Sequence, residues 1–161
     1  MTEDEIIQLV AAMSGTVVFT AGEGDGSPEV AWGDTFFHYD PHGKALADRG
    51  LPFATIVIKD YPGYDTASAL DRDGVFRLNV AVGRRRFEEL LGFPPAAHAD
   101  HDAGIDYTVT DRVLPHPVYA AQGWICVLNP GDATGDLARS LLEESHARTA
   151  ERLDRTRPNA G

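Results

Sequence analysis

The segment 74–91, GVFRLNVAVGRRRFEELL, constrains the fold more than any other stretch. Phe76, Leu78, Val80 and Val82 alternate with Arg77, Asn79 and Ala81, the two-residue period of a strand with one apolar face. The period then changes. Phe87, Leu90 and Leu91 recur at helical spacing, and Gly92 stands where a helix stops. A strand that hands over directly to a helix belongs to a chain that layers helices on a sheet. The segment 115–130 is the second anchor: PHPVY leads into the strand WICVL, and NPGD leads out of it.

The remaining elements follow from the same signals. Thr2 and Glu5 form a capping-box pattern ahead of Ile6, Ile7, Val10 and Met13, so the chain opens on a helix that Gly15 ends. Strands are expected over 16–21 and over 30–39, the latter broken near Gly33 and Asp34. Residues 53–59, nearly all apolar and β-branched, make a central strand. The polar stretch 60–73 is given a short helical turn around Thr66–Leu70. Residues 93–106, with paired prolines and HADHDAGID, are read as an insertion-like loop before a strand over 107–113. A last helix, capped by Thr134 or Asp136, turns Leu137, Leu141, Ser145, Thr149 and Leu153 inward; Glu144–Arg148 and Glu151–Arg155 pair on its wet side. The expectation is one α+β domain over 1–155, an antiparallel sheet of about five strands with the N- and C-terminal helices packed on it, and a frayed tail at 156–161.

Composition narrows the partners. The net charge is −11, and only Lys44 and Lys59 are lysines among 14 basic residues, a field that disfavours nucleic acid. One cysteine, Cys126, excludes an intramolecular disulfide and fits a reducing compartment. No apolar run reaches the roughly 20 residues of a membrane span, and the acidic start MTEDEIIQLV has no signal-peptide pattern. These features point to the cytoplasm, as a monomer or a homodimer, with a small anionic ligand or a protein as partner and no cofactor.

The polar residues on or beside the strands define the candidate site. Arg77, Asn79, Arg112, Tyr119, Gln122 and Trp124 would bind a ligand if they converge on one sheet face, the guanidinium favouring a carboxylate or other anion. His116, held between Pro115 and Pro117, is the best candidate for a general base, with Asp34 or Asp65 orienting it in a cofactor-free hydrolysis or isomerisation. The competing reading, of equal weight, makes Arg77–Asp34 a structural ion pair, Trp124 core and His116 a turn residue. For metal, His98, His101 and Asp102 are the candidates, but a solvated polar loop outweighs them, since HxxH here lacks a fixed helical face. Arg84, Arg85 and Arg86 oppose the dipole at a helix start; pairing with Glu88 or Glu89 accounts for them more cheaply than a bound anion. Cys126, inside ICVL, is a buried small hydrophobe.

FATIVIKDYPGYDTASALDRDGVFRLNVAVGRRRFEELLG and DYTVTDRVLPHPVYAAQGWICVLNP resemble domain-of-unknown-function family 6194, with FRLN and PHPVY…QxW as the more specific elements. That resemblance implies no established activity. The element order is more loosely similar to the MmcQ/YjbR-like proteins, with Ser145–His146 standing where Ser-Tyr is expected. This second likeness implies a frataxin-like or double-wing sheet and, with the acids Glu3, Asp4 and Glu5, brings in metal handling as a further class, nucleic-acid binding ranking last.

Overall fold

The computed structural model describes residues 1–45 and 48–156. Strands β1 (Thr16–Thr20), β2 (Thr35–Tyr39), β3 (Ala54–Val57), β4 (Arg77–Ala81), β5 (Val113–Pro115) and β6 (Trp124–Leu128) form one sheet in the order β1-β2-β3-β4-β6-β5. Every neighbouring pair is antiparallel. The architecture is α+β, with six strands where about five were expected.

Helices α1 (Glu3–Ala11), α2 (Gly83–Leu91) and α4 (Gly135–Arg155) cover one face of this sheet. There Ile6 and Val10 of α1 and Leu141 and Leu142 of α4 meet Phe37, Ile56, Leu78, Val80, Ile125 and Val127, all at most 1 % exposed. The strand pleat turns the alternate residues to the other face: Phe36, Thr55, Arg77, Asn79 and Cys126 face away from the helices. That face carries the site.

The capping box of Thr2 and Glu5 forms as expected, and Gly92 ends α2 at φ 82°. Other expectations change. Residues 30–34 do not join β2; Glu29–Ala31 is a 3-10 turn instead. Residues 66–70 hold turns and no helix. The stretch 93–106 is no open loop: Pro95–Ala97, the one-turn helix α3 (His98–His101) and Asp102–Gly104 follow one another as short helical pieces. They are fastened by Tyr107, whose hydroxyl donates to Asp102 at 2.5 Å and lies 2.8 Å from His98 Nε2.

Of the strand expected over 107–113 only Val113 lies in a strand, β5 running on to Pro115; Asp111, before it, adopts φ 54° and turns its carboxylate to another task. That carboxylate accepts N–H bonds from Gly131, Ala133 and Thr134 and the Thr134 hydroxyl, so it serves the start of α4 from a distance. Thr134 occupies the N-cap position but makes no cap bond with its own side chain. On α4, Leu141, Ser145 and Thr149 are buried as expected, while Leu153 is 39 % exposed. Glu151 pairs with Arg155, but Glu144 pairs with Arg86, and Arg148 donates to the Ala81 carbonyl. Of the expected tail, Thr156 is the C-cap of α4 and 157–161 lie outside the described residues.

Candidate functional site

Three segments rise above the open sheet face and enclose a cavity of about 430 Å³. One is 51–52, ahead of β3; the second is the turn 61–65; the third is 116–124, between β5 and β6. The second folds for a local reason. In Tyr61-Pro62-Gly63-Tyr64 the proline presets one turn dihedral and Gly63 takes φ 75°, so Tyr64 N–H closes on the Tyr61 carbonyl at 3.0 Å. The third is anchored where Val82 and Gly83 both donate to the Gly123 carbonyl. Gly123 has φ 83°, and a Cβ there would come within 3.1 Å of the Gly83 Cα, so the close approach of these two backbones needs glycine.

The floor of the cavity is β4. Arg77 is fully buried, and four of its five N–H groups are spent within the protein. Nε donates to Asn79 Oδ1 at 2.8 Å, Nη1 to Asp65 at 3.0 Å and to Ser68 at 2.9 Å, and Nη2 to Asp65 at 2.5 Å. This is a two-pronged ion pair with Asp65, so the positive charge is matched on the spot. Asn79 passes the network on to Thr55 through Nδ2, at 3.0 Å.

His116 forms the back of the cavity and is 3 % exposed. Its Nδ1 accepts the N–H groups of Val118 and Tyr119, at 3.0 and 2.9 Å. Two donors aimed at Nδ1 fix the neutral ring as the Nε2–H tautomer. Burial, and after it the Arg77 guanidinium, push the imidazole down to about 3. In this arrangement the Nδ1 lone pair is engaged by two backbone N–H groups and Nε2–H is a donor. Asp34 and Asp65 are not its orienting partners. Asp65 holds Arg77, whereas Asp34 accepts Ile58 N–H at 2.9 Å and the Tyr61 hydroxyl. Asp34 pairs with Tyr61 rather than with Arg77, and burial raises its carboxyl.

The walls are aromatic. Phe36, Tyr61, Tyr64, Tyr119 and Trp124 all line the space. Tyr64 and Tyr119, 58 % and 40 % exposed, bond through their hydroxyls across the rim, with ring centroids 6.3 Å apart. That bond, first among the causes, raises the Tyr119 phenol to about 12. Gln122 is exposed at the same rim.

Of the residues the sequence proposed for a ligand, Arg77, Asn79, Tyr119, Gln122 and Trp124 therefore meet, with His116, in one cavity. Arg112 does not; it is exposed on the turn before β5. The sequence reading missed Tyr61 and Tyr64, although the Pro-Gly pair between them marks a tight turn, and it gave Asp65 a different role. Elsewhere, His98 and Asp102 are tied to Tyr107, and His101 stacks on Phe93 with centroids 4.0 Å apart. Among the described residues no group of three or more His, Cys, Asp or Glu side chains is placed to hold a metal. Arg85 pairs with Glu89, and Arg86 with Glu89 and Glu144. Cys126, beside Asn79 on the same sheet face, is fully buried, its thiol pushed up to about 12 by burial. Ser145 donates to the Ala81 and Phe53 carbonyls, at 2.7 and 3.2 Å, and so fastens α4 to the edge of the floor strand.

The model of a family of unknown function, DUF6194, matches residues 1–158. The chain belongs to that family. The match spans every element that builds the cavity, from β2 to β6. No curated protein and no solved structure matches the chain, so the looser likeness to the MmcQ/YjbR-like proteins is not shown. Among the described residues no helix is long and apolar enough to cross a membrane.

Proposed function

We propose that this member of the DUF6194 family is a small-molecule-binding module whose ligand lies on the open sheet face, above Arg77 and Asn79 and against Tyr64, Tyr119 and Trp124. One observation carries the reading: a cavity of ligand size joins an aromatic wall to a buried polar floor that is already hydrogen-bonded and rigid. A guanidinium locked in four internal bonds is a poor receptor for an anion but a good fixed surface, so the expected preference for anions gives way. The cytoplasm is the proposed compartment, on the single buried thiol Cys126.

A fragment screen read by amide and indole NMR shifts tests this. The expected hits move Tyr64, Tyr119, Gly123 and the Trp124 indole together, and Trp124→Ala weakens them. Hits scattered over the helical face, with these resonances unmoved, would end the proposal.

A further inference from the structure

We infer that the ligand of this cavity is a flat, uncharged molecule presenting one hydrogen-bond acceptor, a carbonyl oxygen or a ring nitrogen, to the donor His116 Nε2–H. The inference rests on the small-molecule reading above and adds the chemical class.

Its starting point is a donor with no acceptor. Because Val118 and Tyr119 donate to Nδ1, the ring hydrogen is on Nε2. Among the described residues, the polar atom that faces Nε2 within hydrogen-bond distance is Arg77 Nη2, at 3.5 Å. That atom is also a donor, and after its bond to Asp65 it keeps one hydrogen unspent. Nε2–H of His116, at the back of the cavity, thus meets a second donor and no acceptor, and Arg77, which has no accessible surface, leaves His116 as the donor a ligand can reach. Buried donors are almost always met, so this gap is where an acceptor belongs.

Charge then narrows the class. The Arg77 cation and the Asp65 anion cancel, and Asp65 itself lines the cavity. A carboxylate ligand would enter beside a carboxylate with no uncompensated cation to receive it. A cationic ligand would meet the field of the guanidinium beneath the floor and an N–H donor where it needs an acceptor. A neutral acceptor meets neither objection. The walls fix the shape, since a planar ring can lie against Tyr119 and Trp124, which flank His116 at centroid distances of 4.9 and 6.4 Å.

Benzamide, benzoate and benzamidine share one outline and carry no charge, a negative charge and a positive charge. Each is titrated into the full chain while the Tyr119, Gly123 and Trp124 resonances are followed; affinities on the order of 1 mM are normal for probes this small. Benzamide should bind about tenfold more tightly than either charged analogue. His116→Asn supplies the control, because its side-chain oxygen can still accept the Val118 and Tyr119 N–H groups in an Asx-type turn while the Nε2 donor is gone. That variant should keep its dispersed spectrum and lose about tenfold in benzamide affinity. Benzoate or benzamidine binding as well as benzamide, at the same resonances, would overturn the neutral class and leave the cavity as a site. Undiminished benzamide binding by His116→Asn would overturn the donor role. If none of the three probes moves those resonances at about 10 mM, the inference and the small-molecule reading fall together.

Discussion

A guanidinium buried beneath a loop is tolerable only when its donors are met, and around Arg77 four of five are. The ion pair with Asp65 is therefore a unit whose halves cannot be removed separately. Arg77→Met strands the Asp65 carboxylate under the sheet face and should cost about 3–5 kcal/mol in urea unfolding. The double variant Arg77→Met with Asp65→Leu removes both charges and should unfold at higher urea than Arg77→Met alone. A double variant no more stable than the single one would mean that the loop 61–70 depends on Arg77 for more than charge balance. The alternation of 76–82 was enough to assign Arg77 and Asn79 to the face away from the apolar core. It could not say that this face is covered, because the covering residues Asp65 and Ser68 come from a segment with no periodic signal, and their contacts with Arg77 exist only once the sheet has formed.

At the scale of elements, the legible parts were those whose signals are local. The capping box of α1, the alternation of β4, the glycine stop of α2 and the strand 124–128 all depend on neighbours in sequence, and all stand where expected. The stretch 93–113 was misread because its order is tertiary. Its helical pieces are too short to persist alone and are held by Tyr107, while Asp111 leaves strand geometry to cap α4 across 20 or more residues. That remote cap is testable. Asp111→Asn tolerates the same positive φ but replaces one accepting oxygen with a donor, so the N–H groups of Gly131, Ala133 and Thr134 cannot all be served. Its melting temperature should fall by a few degrees in calorimetry at neutral pH. The Asp111 carboxyl is held down to about 2, chiefly by the Thr134 hydroxyl, so its stabilisation is present above the ordinary value of 3.8 and is lost as pH falls through about 2. The difference between wild type and Asp111→Asn should accordingly shrink over that acid range; a constant gap would mean that the carboxylate charge is not what the helix start requires.

For the molecule as a whole, acid stability is a balance in which the cavity histidine has a definite sign. In the folded chain His116 is surrounded by Arg77, Asp65 and, farther off, His98, and burial and Arg77 outweigh the carboxylate to hold its imidazole down to about 3. Once unfolded, the same ring titrates near 6.5. Between those values the unfolded chain binds a proton that the folded chain refuses, so stability falls as pH drops through that window. His38, lowered by burial and by Arg49, adds to the trend, whereas Asp34, raised by burial, opposes it just above 3.8. The separate share of His116 is read by comparison with His116→Asn. From pH 6 to pH 5 the wild type should lose up to about 1.4 kcal/mol more than the variant in urea unfolding, the value of one proton per pH unit. Parallel curves would mean that His116 takes up its proton in the folded state as readily as in the unfolded one. The ring would then not be the fixed, neutral donor on which the reading of the cavity depends.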